Sequence, residues 1–268
     1  MVMSQPTQRD KAEAFRALHE DGVFVIPNPW DAGSATMLAA LGFPALASTS
    51  SGFAFTLGRR DGGATLDEVV AHAAALDRAT ALPVSVDLEN GYGSRPEDAA
   101  LAIARVAEAG AVGASIEDYD PAGGLYPADF AAERVAAAVA AARALDFPFM
   151  LTARAENHIR NNPVLDDTIA RLRLYQEAGA DVLYAPGLAD VEQIRAVCQA
   201  VDRPVNVLAR RDLTLAQVAA AGARRVSVGG ALTWVAVDAM VAAAERIRDD
   251  GDFSLLHNAS RVNQLFGG

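Results

Sequence analysis

Four side chains concentrate the chemistry available to this sequence: Asp87, Glu89, Glu117 and Arg154. Asp87 and Glu89 stand two apart at the end of a β-rich run, and on an extended chain such positions point to the same side. Glu117 closes the next such run and Arg154 follows the one after. Three carboxylates brought together repel one another unless protons or a cation intervene. With no His or Cys beside them, an all-oxygen donor set suits Mg2+ or Mn2+ rather than Zn2+. Arg154 offers a planar fork that grips a substrate carboxylate bidentately, and Glu156 is placed to hold that fork. Taken singly, each acid reads equally well as an N-cap or surface partner of the helix that follows. Taken as a set, they read as a divalent-cation and carboxylate site.

Such a set needs parallel strands side by side. The chain repeats one rhythm eight times, a short β-rich run, a polar or glycine-containing loop, then a longer Ala/Leu/Val helix. The spacing predicts strands at 23–27, 45–48, 83–87, 113–117, 149–153, 181–185, 204–208 and 225–229. It predicts helices near 32–41, 65–79, 96–109, 129–145, 166–178, 190–200, 214–221 and 231–247. Ser94-Arg95-Pro96-Glu97-Asp98 carries an N-cap, a first-turn proline and acids that suit the helix dipole. Gly110, Gly179 and Gly222 each stand where a left-handed C-cap ends a helix.

Eight uninterrupted units predict an α/β fold, a closed (β/α)8 TIM barrel forming one domain over 1–268, with a helical extension from about 232. An open doubly wound sheet is the competing architecture. It lacks its usual Gly-x-Gly-x-x-Gly after the first strand, where Val25-Ile26-Pro27-Asn28-Pro29-Trp30 stands. Phe253-Ser254-Leu255-Leu256 is too apolar for a free tail and is expected to pack on the barrel or a neighbouring subunit. In such barrels the C-terminal strand ends build the active site. That rule adds Ser51, Gly52 and Phe53 with Asp61 after the second strand, Asn206 on the seventh, and Trp30 after the first.

Bulk properties exclude several function classes. The 268 residues are 51% hydrophobic, enough for a sizeable core, and the net charge of −11 argues against a nucleic-acid partner. Lys11 is the only lysine and lies in the polar N-terminal stretch, so Schiff-base chemistry has no buried amine. Cys198, the only cysteine, reads as an inert helical thiol, and a reducing cytoplasm is the expected setting. Residues 1–10 lack a signal-peptide core, and no apolar run is long enough to span a membrane. His19, His72 and His257 read as surface residues, while His158 falls within reach of the barrel mouth. Gly229-Gly230 is a weak signal for a phosphate site.

Several segments resemble the isocitrate lyase/phosphoenolpyruvate mutase superfamily, in order, from about residue 15 to 235. They are Pro29-Trp30-Asp31-Ala32, Ser51-Gly52-Phe53 with Asp61, Val86-Asp87-Leu88-Glu89-Asn90-Gly91-Tyr92-Gly93, Ile116-Glu117-Asp118, Ala153-Arg154-Ala155-Glu156 and Tyr175-x-x-Ala178-Gly179-Ala180-Asp181. The resemblance implies a (β/α)8 barrel whose last helix is swapped between subunits of a dimer or tetramer, the homotetramer being the expected state. It implies Mg2+ on Asp87, with Asp61, Glu89 and Glu117 acting directly or through water. It also implies that Arg154 and the Ser51-Gly52-Phe53 segment hold the substrate's carboxylate and 2-oxo or enolate oxygen.

The reaction itself does not carry over. The lyase loop Lys-Lys/Arg-Cys-Gly-His is replaced by Tyr119-Asp120-Pro121-Ala122-Gly123-Gly124-Leu125-Tyr126, and Thr49 stands for a lyase tyrosine. Pro186-Gly187 occupies the place of a lyase Glu or mutase His. The expected activity is Mg2+-dependent C–C cleavage of a small 2-oxo or 2-hydroxy dicarboxylic acid. Tyr126, on the loop expected to gate the site, leads Tyr119, Thr49 and His158 as proton donor. Two rivals are C–P chemistry on a phosphonopyruvate-like substrate and a barrel that only binds a 2-oxo acid.

Overall fold

The computed structural model describes residues 5–266. In chain order its strands are β1 (Phe24–Ile26), β2 (Leu46–Ala47), β3 (Val84–Asp87) and β4 (Gly113–Glu117), then a small hairpin of β5 (Tyr119–Asp120) and β6 (Gly124–Leu125), then β7 (Met150–Arg154), β8 (Val182–Tyr184), β9 (Val205–Leu208) and β10 (Arg225–Ser227). Leaving out the hairpin, eight strands pair in parallel in the order β1-β10-β9-β8-β7-β4-β3-β2. The seam between β1 and β2 is bridged where the Ala47 N–H donates to the Pro27 carbonyl at 3.1 Å. The sheet is therefore the closed (β/α)8 barrel that the sequence predicts.

The helices follow the sequence signals. Thr65 and Thr214 cap α4 (Leu66–Ala79) and α9 (Leu215–Ala220) by reciprocal capping boxes, and Pro96 opens α5 (Pro96–Glu108). Their apolar faces close against the outside of the barrel; Leu76, Ile103 and Leu172 are fully buried there, each contributing about 1.5–3 kcal/mol.

Three elements were not legible as such in the sequence. One is α1 (Gln8–Ala17), capped by Thr7 and Asp10, which drives Ala12 and Phe15 against Phe24, Ile26, Val112 and Met150 at the N-terminal end of the strands. Its Lys11 is buried in an ion pair with Asp77 at 2.7 Å, so the lysine is structural. The second is α3 (Ser50–Thr56), directly after β2; the third is the β5–β6 hairpin. His19 and His72 are also not at the surface as expected. Both are buried, His19 between Phe15 and Phe24 and His72 stacked 4.1 Å from Phe53.

The barrel interior is unusual for this architecture, whose core layers are mostly bulky branched side chains. Here Ser85, Thr152, Asn206, Arg225 and Ser227 are all buried inside it. The chain continues through α10 (Ala231–Asp250) to α11 (Ser260–Phe266), which lies against α2 (Ala32–Ala40). Among the described residues no helix is long and apolar enough to cross a membrane.

Candidate active site at the barrel mouth

Parallel register sets one row of side chains across five strands: Glu117 beside Arg154, Arg154 beside Tyr184, Tyr184 beside Asn206, and Asn206 beside Arg225. Arg154 is the hub. Its Nη1 donates to Asp87 Oδ1 at 2.9 Å, its Nη2 meets Glu117 Oε2 at 2.9 Å, and its Nε and Nη2 reach Glu156 Oε1 at 3.0 and 2.8 Å. Glu156 is fully buried, and its other oxygen has only Arg160 near it, at 3.5 Å. Arg160 in turn lies over the Tyr119 ring at 3.8 Å and 3.7 Å from Glu117. The Arg154 charge is fixed well above its ordinary range: burial opposes it, but Glu156, Glu117 and Asp87 outweigh burial.

Asp118 serves as the scaffold beneath this web. It is buried, and it accepts bonds from Arg171 at 2.9 Å, from the Tyr175 hydroxyl at 2.5 Å and from the Glu156 N–H at 2.8 Å. It thereby ties α7 (Leu165–Glu177) to the ends of β4 and β7.

The turn after β3 departs from the alternation that the sequence suggests. Glu89 and Tyr92 adopt left-handed φ values of 48° and 61°, so Glu89 is placed by a turn and not by strand periodicity. Its carboxylate accepts the Tyr92 hydroxyl at 2.9 Å. Burial, then the Asp87 charge, push it up to about 7, with Asp61 adding to the shift. Glu117 is also raised, chiefly by burial. Arg134 clamps the outside of this turn by donating to the carbonyls of Asn90, Gly93 and Arg95.

A cavity of about 190 Å³ opens at the mouth and descends between the strands. Ser51, Asp61, Asp87, Arg154 and Asn206 line it, as do Tyr184 and Arg225. Glu89 and Glu117 are not among the residues that line it. Gly52, Phe53 and Trp30 support the wall from outside the cavity. A Cβ on Gly52 would fall 2.6 Å from Thr233 Oγ1 and 3.0 Å from Trp30 Cβ, so glycine is required by close packing. The Phe53 N–H is already spent on the Thr49 carbonyl at 3.0 Å.

The structure does not bring Tyr126 to the cavity. Its hydroxyl accepts the Asn90 amide at 3.2 Å and its ring packs under Arg134, because the β5–β6 hairpin turns the side chain outward. His158 is turned to Thr168 at 2.8 Å. Of the amides near Gly229-Gly230, those of Val228 and Gly229 both donate to Asn28 Oδ1 at 2.9 Å and so are not free for a phosphate. Tyr184, Arg160 and Arg225 escaped the sequence reading. The signal was there in the predicted strands, where Tyr184 and Arg225 fall on the face that shares register with Arg154.

Among the described residues no three His, Cys, Asp or Glu side chains form a closed metal cage. The donor chemistry still fits Mg2+ or Mn2+. It is all oxygen, it carries more negative charge than Arg154 and Arg160 balance, and Mg2+ keeps most of its waters while taking one or two carboxylates.

Over residues 15–248 the sequence matches the family phosphoenolpyruvate phosphomutase. The chain belongs to that family. It thus falls in the isocitrate lyase/phosphoenolpyruvate mutase superfamily, whose members are lyases and mutases. A candidate lyase/mutase of Burkholderia cenocepacia J2315 is 51% identical, with 97% of each chain covered and a TM-score of 0.94. The 2-methylisocitrate lyase of Halalkalibacterium halodurans is 31% identical over 215 residues, 76% of this chain and 69% of the relative. The oxaloacetate decarboxylase of Chromohalobacter salexigens is 28% identical over 275 residues, 97% of this chain and 92% of the relative. The TM-score shows that the family member described here shares the barrel of the Burkholderia structure.

Proposed function

We propose that this family member cleaves a C–C bond in a small 2-oxo or 2-hydroxy dicarboxylic acid, as a lyase or decarboxylase. The observation that carries the reading is the Asp87 carboxylate on the cavity wall, held at 2.9 Å by a guanidinium that Glu117 and Glu156 also grip. The cavity suits a small acid and is too small for a nucleotide-sized cofactor. Full-length likeness to an oxaloacetate decarboxylase supports the substrate class.

Asp87, with Asp61, Glu89 and Glu117 around it, would hold Mg2+ or Mn2+, and the ion would supply Lewis-acid stabilisation of charge on the substrate oxygen. The chain's own groups do the rest. For a 2-oxo diacid, Arg154 fixes the position of Asp87 and keeps positive charge beside the oxyanion as the C–C bond breaks, CO2 leaves and the bond's electron pair stays on the 2-oxo fragment as its enolate. Ser51 offers its hydroxyl to the bound acid from the cavity wall. Tyr184 is the acid on the wall that can return a proton to the fragment's carbon. Burial pushes its hydroxyl up to about 12, so it stays protonated at neutral pH.

The test is pyruvate and CO2 formation from oxaloacetate by the purified protein, with Mg2+ and with EDTA, beside phosphate release from phosphonopyruvate. Metal-dependent pyruvate formation supports the proposal. Phosphate release without turnover of any dicarboxylate would replace it with C–P chemistry, and calorimetric binding without product would make the barrel a 2-oxo acid sensor. The exposed apolar residues Val235, Met240, Phe253 and Leu256 on and after α10 support the swapped-helix oligomer that the superfamily resemblance implies.

A further inference from the structure

Arg225 is a buried cation with no counter-ion. Its three partners are all neutral: Nε donates to Asn206 Oδ1 at 2.9 Å, Nη2 to Thr152 Oγ1 at 2.8 Å, and Nη1 faces His19 Nε2 at 3.3 Å. His19 must accept here, because its Nδ1 sits 2.8 Å from the Phe15 carbonyl and can only donate to it. Among the described residues no carboxylate forms an ion pair with Arg225. The other buried arginines differ: Arg154 and Arg171 pair with acids, and Arg134 is spent on three carbonyls away from the cavity. Isolated buried charge is strongly unfavourable in a folded chain unless something compensates it.

Arg225 also lines the cavity that opens at the mouth. A guanidinium has five N–H donors, and the three bonds above leave one on each terminal nitrogen for a further acceptor such as a carboxylate. Register places it on the same inward row as Arg154, three strands away through Tyr184 and Asn206. The two residues stand three strand spacings of about 4.8 Å apart along the curved wall, and both line the same cavity of about 190 Å³. Ser85, Asn206 and Ser227 line the path with hydroxyl and amide groups in place of branched hydrocarbon.

We propose that Arg225 receives the second carboxylate of the substrate inside the barrel, making the enzyme selective for dicarboxylates over pyruvate-like monoacids. This rests on the proposed function, which takes the substrate to be a small dicarboxylic acid bound in this cavity. Arg225 is a specificity residue here, and its contact with His19 fixes it on the barrel floor next to α1.

The test is calorimetry with malate, succinate and pyruvate in the presence of Mg2+, on wild type, Arg225→Gln, Arg225→Lys and Asn206→Asp. Wild type should bind malate at least about tenfold more tightly than pyruvate. Arg225→Gln should lose about tenfold or more for both diacids while pyruvate binding holds, and Arg225→Lys should recover part of the loss. Asn206→Asp sets a carboxylate against Nε and neutralises the guanidinium in place, so it should lower diacid affinity without removing the side chain. It becomes the deciding variant if Arg225→Gln melts far below wild type. An unchanged malate-to-pyruvate ratio in folded Arg225→Gln or in Asn206→Asp overturns the inference and leaves the proposed function standing. A wild type that binds neither diacid nor pyruvate overturns both.

Discussion

Arg154 reaches across β4 to hold Asp87 at 2.9 Å, so this guanidinium is already engaged by protein carboxylates before substrate arrives. The sequence suggests a free clamp for a substrate carboxylate; the geometry makes Arg154 first a balancing charge for Asp87, Glu117 and Glu156. Removing it would leave three acids converging in a buried site. Arg154→Met should therefore lower stability by about 3–5 kcal/mol, the usual range for stripping one partner from a buried pair. Arg154→Lys, which keeps the charge but not the fork, should lose less. Urea midpoints of the metal-free proteins check both, and an Arg154→Met protein as stable as wild type would refute the balancing role.

Asp87 presents the opposite case. Its carboxylate lies on the cavity wall, while Arg154 keeps Glu117 and Glu156 when Asp87 is lost. Asp87→Asn should fold normally and shift the melting temperature little. Its turnover of the substrate found should fall by about 10²–10³-fold, as when a group serving developing charge is removed. Mg2+ titration of both proteins should show the ion's effect on melting weakened in the variant. Undiminished turnover would remove Asp87 from the chemistry.

Most of the frame was legible because the rules behind it are local. Strand-helix alternation, Pro96 at a helix start and glycine at helix ends each act within a few residues, and every predicted strand appears. The acids and the arginine of the site were legible where position along a strand decides it. Asp87, Glu117 and Arg154 met that condition. Glu89 reaches the same place by a left-handed turn that period-two reasoning cannot foresee. Tyr126 failed for the opposite reason, because its direction depends on how the 119–126 segment folds into a hairpin and on the cation from Arg134 across from it. The burial of His19 and His72 depends on α1 and α3, elements outside the eight-unit rhythm.

Tyr126→Phe separates a loop anchor from a proton donor. The hydroxyl's one side-chain bond goes to the Asn90 amide, at 3.2 Å. Its loss should cost about 0.5–1.5 kcal/mol of stability and leave turnover near wild type. A true general acid would cost about 10²–10⁴-fold. Tyr184→Phe, in the row with Arg154, should show that larger loss. Steady-state rates for the two variants side by side decide which tyrosine serves, and a large loss in Tyr126→Phe with none in Tyr184→Phe would reverse the assignment.

His72 gives a pH signature with a definite sign. Burial lowers its folded pKa from 6.5 to about 4, and its Nε2 has no partner. A depressed folded value means that the unfolded chain takes up the proton first as pH falls. The stabilising contribution is complete above about 6.5 and is lost progressively down to about 4. At pH 5 that amounts to about 2 kcal/mol relative to pH 8. Glu89 works the other way, since its folded value is raised to about 7 and the folded state takes up its proton first. The two slopes partly cancel in the wild type, so the comparison must be with His72→Gln. Between pH 8 and 5 the wild type should lose about 2 kcal/mol more stability than that variant, read from urea midpoints at each pH. Parallel curves would mean that His72 is protonated in the fold, and the stacked contact with Phe53 would then have to open to admit water.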